Sequence, residues 1–241
     1  MKRQFIYGNW KMAQSLEGMK TFFSTLSSLR LSNTSLELAV FPSALHLPLA
    51  LQSRGDFLIG GQDCSTEKEG AFTGEISAKS LGEISCDAVL IGHSERRKRL
   101  PETAETLKAK LSRALEVALK IVFCVGESES ERISGDTLKI LKSQLEVLKG
   151  FSLERLVVAY EPVWAIGTGK VASLHDIAEA HGFLRQEVGD QIPLLYGGSV
   201  NAKNAADILR VAHVNGVLVG GASLKAEDFK AIAQSSPFFA L

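Results

Sequence analysis

Hydrophobic positions in this chain fall into eight short runs, each followed by a turn and then a longer amphipathic stretch. The runs are Phe5–Gly8, Leu36–Phe41, Phe57–Gly60, Ala88–Ile91, Ile121–Val125, Leu156–Tyr160, Leu194–Tyr196 and Gly216–Val219. None alternates cleanly between apolar and polar, which is the pattern of parallel strands covered by helices. The stretches between them predict helices. Across Glu102–Lys120 the residues Leu107, Leu111, Leu115 and Leu119 form one stripe, and Pro101 is placed to open that helix. Leu138, Leu141, Leu145 and Leu148 form another stripe. After Ser173, the order Ser-Leu-His-Asp reads as a capping-box start with Asp in place of Glu, and Gly189 reads as the stop.

Eight strand-then-helix units, with no linker or low-complexity tract between them, imply a single (β/α)8 barrel domain over residues 1–241, with eight parallel strands. A doubly wound open sheet uses the same units and is the alternative, because strand order is not written in the pattern.

Composition narrows the function classes. With 45% hydrophobic residues in 241, the chain has material for one sizeable core. Lys plus Arg and Asp plus Glu each total 27, so there is no field of one sign to attract nucleic acid or an anionic membrane. Cys64, Cys86 and Cys124 are odd in number and form no C-x-x-C pair, which argues against a disulfide framework or structural zinc and for a reducing compartment. Cys124, inside an apolar run, reads as a core residue. The N-terminus lacks an apolar stretch for a signal peptide, and no run approaches the roughly 20 apolar residues of a spanning helix. A soluble, cytoplasmic protein is expected.

In a parallel α/β fold, chemistry collects where strands end. Those positions hold Asn9-Trp10-Lys11, Gly92-His93-Ser94-Glu95, Glu161-Pro162, Gly197-Gly198-Ser199 and Gly220-Gly221. Glycine turns opening probable helices can hold a phosphate on backbone N–H groups, or can simply make tight turns. Glu161 ends a buried strand, where a carboxylate resists ionisation and gains basicity. As a general base it contributes about 10²–10⁴-fold, or about 3–5 kcal/mol of barrier; a structural ion pair is the other reading. His93, at a helix N-terminus, is disfavoured from taking a second positive charge and can donate a hydrogen bond to a carbonyl, or serve structurally. The remaining histidines, His46, His175, His181 and His213, read as structural or solvated. Lys11, with Asn9 on the same side, can offset charge on substrate oxygens or be merely solvated.

Two loops stand out. Pro162–Lys170 combines a stiff proline end, an apolar middle with Trp164 and a flexible glycine end, which suits a lid over a ligand as well as a buried connection. Gly70–Glu75 carries Phe72 at a glycine-flanked tip, which suggests docking into a second copy of the chain.

Taken together, Asn9-Trp10-Lys11-Met12, Gly70–Glu75, Gly92-His-Ser-Glu-Arg-Arg97, Ala159–Lys170, Tyr196-Gly-Gly-Ser-Val200 and Val219-Gly-Gly-Ala-Ser223 resemble the triosephosphate isomerase family, in family order. The resemblance implies a TIM barrel that interconverts dihydroxyacetone phosphate and D-glyceraldehyde 3-phosphate through an enediolate, without metal or organic cofactor. It implies Glu161 as the proton-shuttling base and His93 as the neutral electrophile, a feature already established for this family. Lys11 and Asn9 would stabilise the enediolate and bind substrate, while Gly167, Ser199, Gly220 and Gly221 would hold the phosphate. Pro162–Lys170 would close over the site, and Thr73 would reach into the partner of a homodimer near Lys11 and His93. The chain departs from the common pattern at Asp63, where Asn is expected, at Ala13, and at Leu100-Pro101-Glu102. Asp63 adds a negative charge near the Lys11 region, which would alter the dimer contact or the electrostatics of the lysine. Another phosphosugar barrel enzyme, such as an epimerase, and a barrel kept only for binding are the rival readings. Metal-dependent rivals need several His and Asp ligands at strand ends, where only His93 stands.

Overall fold

The computed structural model describes residues 3–27, 35–167 and 170–239. Eight strands run β1 (Gln4–Asn9), β2 (Leu36–Phe41), β3 (Leu58–Gly61), β4 (Ala88–Ile91), β5 (Lys120–Val125), β6 (Leu156–Tyr160), β7 (Leu194–Tyr196) and β8 (Gly216–Val219). Every neighbouring pair is parallel, and β1 pairs with β2 on one side and β8 on the other. The sheet is therefore a closed barrel, not an open doubly wound sheet.

Residue alternation explains why the strands read as unbroken apolar runs. Phe5, Tyr7, Ala39, Phe41, Ala88, Leu90, Val122, Cys124, Val157, Ala159, Leu195 and Leu218 pack together inside the barrel. Their neighbours, such as Ile6, Val89, Phe123, Val158 and Val217, face the helices in a second, larger cluster. Both faces are dry, so the alternation is between two apolar environments.

Among the described residues the helices are α1 (Leu16–Thr25), α2 (Leu47–Ser53), α3 (Ala78–Glu83), α4 (Ser94–Arg99), α5 (Ala104–Glu116), α6 (Glu129–Ile133), α7 (Thr137–Leu145), α8 (Leu174–Val188), α9 (Ala205–Arg210) and α10 (Ala226–Gln234). The Ser173 signal holds: Ser173 and Asp176 form a reciprocal capping box on α8, and Gly189 ends it at φ 78°. The Pro101 signal does not. Thr103 caps α5 by accepting from the Thr106 N–H, so the helix starts beyond the proline. It also stops before Lys120, because Ala118 adopts φ 56° and turns the chain into β5. Nor does a helix follow Ser199 directly. Asn204 accepts from Asn201 N–H and donates to Ser199 O, holding a turn that delays α9 to Ala205. The stripe of α7 is kept in a looser form: Leu141 and Leu145 are buried in the helix, and Leu148 is buried in the 3₁₀ turn Glu146–Leu148 that follows.

A buried charge cluster joins the end of β3 to α4 and α5. Asp63 accepts from Lys110 at 2.8 and 2.9 Å and pairs with Arg96 at 2.8 Å, while Glu102 pairs with Lys110 at 2.5 Å and Arg96 at 3.1 Å. The extra charge of Asp63 is thus matched by Lys110 and Arg96, while Lys11 pairs with Glu95 instead. Burial pushes the Asp63 carboxyl up to about 6, although Lys110 and Arg96 pull it down. His181 is fully buried against Tyr160, and burial lowers its imidazole to about 4.

These two groups predict opposite slopes of stability with pH. The folded His181 binds a proton more weakly than the unfolded chain, so its contribution is complete above about 6.5 and lost as pH falls toward 4, a span of roughly 3 kcal/mol. Thermal midpoints measured from neutral to acid pH should fall less steeply in His181→Gln than in the parent; equal slopes would remove His181 as the cause. The folded Asp63 binds its proton more tightly, so its contribution is complete below 3.8 and lost as pH rises through about 6. The midpoint of Asp63→Asn relative to the parent should therefore climb between those pH values, whatever constant offset the substitution brings. A flat difference would show that the ion pairs cancel the burial.

Candidate active site

Strand alternation aims the functional side chains. Asn9 continues the inward series of Phe5 and Tyr7, Glu161 that of Val157 and Ala159, Gly197 that of Leu195, and Gly220 that of Leu218. His93 has the wrong parity for this. Gly92 sits at φ 74°, a left-handed turn that breaks the alternation and lets His93 join the cleft. Every sequence-derived site residue, Asn9, Lys11, His93, Glu161, Gly167, Ser199, Gly220 and Gly221, lines one cleft of about 200 Å³ at the C-terminal mouth of the barrel. Ile166 and Val200 complete its apolar side.

The carboxylate and the imidazole touch. His93 Nε2 lies 3.1 Å from Glu161 Oε1, and both residues are buried. His93 Nδ1 accepts from the Glu95 N–H at 3.2 Å, so the ring proton is assigned to Nε2, which donates into the cleft. Glu161 Oε2 accepts from the Ser94 N–H at 3.0 Å. The first turn of α4 therefore orients both side chains with its backbone donors. Gly197 clears the space beside Glu161, since a Cβ there would stand 2.9 Å from Glu161 Cγ.

Lys11 is held in a strained backbone conformation. Its φ is 50°, unusual for a residue with a side chain. Asn9 Oδ1 accepts from the Lys11 N–H at 3.0 Å, and Gln62 Nε2 donates to Lys11 O at 2.7 Å and to Phe41 O at 2.9 Å. Its ammonium reaches Glu95 at 2.7 Å on the cleft rim. Burial raises the Glu95 carboxyl, but Lys11, with His93 and Arg99 behind it, brings it below the usual range.

The glycine turns complete the cleft, Gly220 beside Lys11, where an added Cβ would lie 3.8 Å from Lys11 Cε, and Gly197 beside Glu161. Gly221–Ser223 is a 3₁₀ turn directly after β8, so its early N–H groups have no helical partner and are free for an anion. Ser199 Oγ donates to Ala165 O at 2.7 Å, which ties the turn after β7 to the 162–170 loop. On that loop, Trp164 Nε1 donates to Glu127 at 2.9 Å and its ring lies under Arg132 at 5.0 Å. Trp164 is thus partly buried, not exposed on a free loop. Thr168 and Gly169 lie outside the described residues.

Glu127 and Gln62 are missing from the sequence-derived candidates. Glu127 lies two residues past β5 and also accepts from Tyr160 OH at 3.1 Å; the strand-end rule, applied to the fifth strand as to the others, points to it. Gln62 follows the last residue of β3 in the same way. Among the described residues, no three His, Cys, Asp or Glu side chains gather as metal ligands, and no helix is long and apolar enough to cross a membrane.

The chain matches the family model described as triosephosphate isomerase over residues 4–236. It is 41% identical to the triosephosphate isomerase of Francisella tularensis over 242 residues, which is 95% of this chain and 96% of that protein. It is 43% identical over 240 residues to that of a Ruegeria species, covering 95% and 96% of the two chains. The crystal structure of triosephosphate isomerase from Bartonella henselae superposes with a TM-score of 0.86 at 38% identity, covering 97% of this chain and 98% of that one. With the family model and the relatives both spanning nearly the whole barrel and its cleft, this chain belongs to the triosephosphate isomerase family.

Proposed function

We propose that this protein interconverts dihydroxyacetone phosphate and D-glyceraldehyde 3-phosphate by moving one proton between adjacent carbons. The observation that carries the reading is the contact between Glu161 and the Nε2–H side of His93 in a cleft also lined by the glycine turns after β7 and β8. Substrate takes the place of the Glu161–His93 contact. Glu161 then removes a proton from the hydroxymethyl carbon while His93 donates from Nε2 to the neighbouring carbonyl oxygen. The electron pair left on carbon forms the enediolate double bond. His93 gives its Nε2 proton to the former carbonyl oxygen and takes up the hydroxyl proton of the first carbon, and Glu161 returns its own proton to the second carbon, which leaves the aldehyde. Lys11 offsets the charge on the substrate oxygens, with Asn9 holding its backbone. Gly167, Ser199, Gly220 and Gly221 hold the phosphate, and the 162–170 loop shields the intermediate from water. Each proton moves through a side chain, so the reaction calls for no metal or organic cofactor.

Residues 1–241 form a single domain on this reading, because the barrel closes only when β1 meets β8. Its setting is the cytoplasm, which suits three free buried cysteines. Its partner is a second copy. Met12 is 94% exposed, Leu45 92% and Phe72 46%, and Met12 lines a depression of about 290 Å³ together with Gln62, Asp63 and Glu75. The partner's Gly70–Glu75 loop fills that depression, with Thr73 toward Lys11 and His93.

The activity is tested by the steady-state conversion of D-glyceraldehyde 3-phosphate with EDTA present, in the parent and in Glu161→Gln. The parent should turn over rapidly, and the variant should lose about 10²–10⁴-fold in kcat with inhibition by inorganic phosphate kept. Near-normal turnover in the variant would overturn Glu161 as the base. Sedimentation at micromolar concentration should show a homodimer, and a monodisperse monomer would refute the docking of the 70–75 loop.

A further inference from the structure

The base stands on a floor that it does not itself supply. Glu161 N–H donates to Val125 O at 2.7 Å, and Val163 N–H donates to Glu127 O at 3.0 Å. Between these two contacts lies Gly126, where an added Cβ would stand 1.8 Å from Glu161 O. The loop Val125–Glu127 is therefore a template against which Glu161–Val163 is laid, and it tolerates no side chain at its centre. Glu127 extends the template by receiving Tyr160 OH and Trp164 Nε1 from either side of the base.

A loop can position a base only if something positions the loop. Here one side-chain amide does so. Gln144, near the end of α7, accepts from Gly126 N–H through Oε1 at 2.8 Å and donates to Gly126 O through Nε2 at 2.9 Å. Both backbone groups of the central template residue are taken by one residue eighteen positions away. The helix carrying it is anchored by Leu141 and Leu145 in the core. Gln144 does not line the reactive cleft. It lines a separate cavity of about 530 Å³ behind the base, together with Gly126, Glu161, Val163 and Trp164.

We infer that Gln144 is a positioning residue for the isomerisation: by clamping Gly126 it sets where the Glu161 backbone and the start of the 162–170 loop stand. The inference rests on Glu161 being the base. A displacement near 1 Å at a reactive group costs on the order of 10²-fold in rate. Gln144 bonds Gly126 and not the turns after β7 and β8, which reach the clamped segment only through the Ser199–Ala165 contact, so binding should suffer less than turnover.

Two variants test this, with Glu161→Gln alongside. Gln144→Met keeps the length but removes donor and acceptor. It should lower kcat by about 10–100-fold with KM within about 3-fold of the parent. Gln144→Glu keeps the acceptor and regains a donor only when protonated. Its kcat, as a ratio to the parent, should rise as pH is lowered from about 8 to about 5, while the ratio for Gln144→Met stays flat. A merely structural role would lower the thermal midpoint of both variants without that pH-dependent recovery. A kcat for Gln144→Met within about twofold of the parent, or a flat ratio for Gln144→Glu, would overturn the inference. If Gln144→Met fails to fold, the ratio for Gln144→Glu decides alone. Collapse in Glu161→Gln with normal turnover in Gln144→Met would sink the clamp and leave the base standing. Near-normal turnover in Glu161→Gln would sink both.

Discussion

Each strand of this barrel buries one face against the axis and the other against a helix, so a polar side chain has no dry-side tolerance except at the strand ends. Inside the barrel the rule is strict: Tyr7 keeps its hydroxyl there by donating to Glu37, which Lys120 and Arg3 also hold at the opposite mouth. At the C-terminal mouth the same inward series runs past the last apolar layer and arrives at Asn9, Glu161, Gly197 and Gly220. The cleft is where the packing pattern runs out of barrel to fill.

Within that cleft the first turn of α4 has several roles at once. Its free N–H groups orient the His93 ring through Glu95 and the Glu161 carboxylate through Ser94. The Glu95 side chain reaches Lys11, and Arg96 on the following turn anchors the helix to Asp63 and Glu102. A six-residue helix could not hold such geometry by propensity alone. Side-chain anchors on both sides, together with the Gly92 turn, replace the length it lacks.

Glu161 is held from the other side by the β5 loop. That loop presents carbonyls to Glu161 and Val163, a bare Cα at Gly126, and the Glu127 carboxylate to Tyr160 and Trp164. Burial raises the Glu127 carboxyl even with those donors on it. Template, clamp and loop form one hydrogen-bonded layer behind Glu161, and neither Gln144 nor Gly126 lines the cleft.

The order of elements, the barrel and the strand-end residues that meet in one cleft, Glu161, His93, Lys11 and the glycine turns, were legible in the chain itself. Strands buried on both faces leave unbroken apolar runs, and the polar residues that end them are local signals. Caps were legible where the signal was local, as at Ser173, and misread where two signals competed, as at Pro101 against Thr103. Eight units favoured a barrel but left an open sheet as the alternative, because the choice between them is the pairing of β1 with β8 across the whole sequence. The partners of Asp63 could not be read either: Lys110 and Arg96 come from different helices, and only the fold brings three charges to one buried point. Gln144 is the clearest case. On α7 it is one polar residue beside a leucine stripe, and only the stacking of that helix under the β5 loop turns its amide toward Gly126. Local sequence determines what each segment prefers, whereas contacts between distant segments depend on packing, which decides which polar groups must satisfy one another away from water.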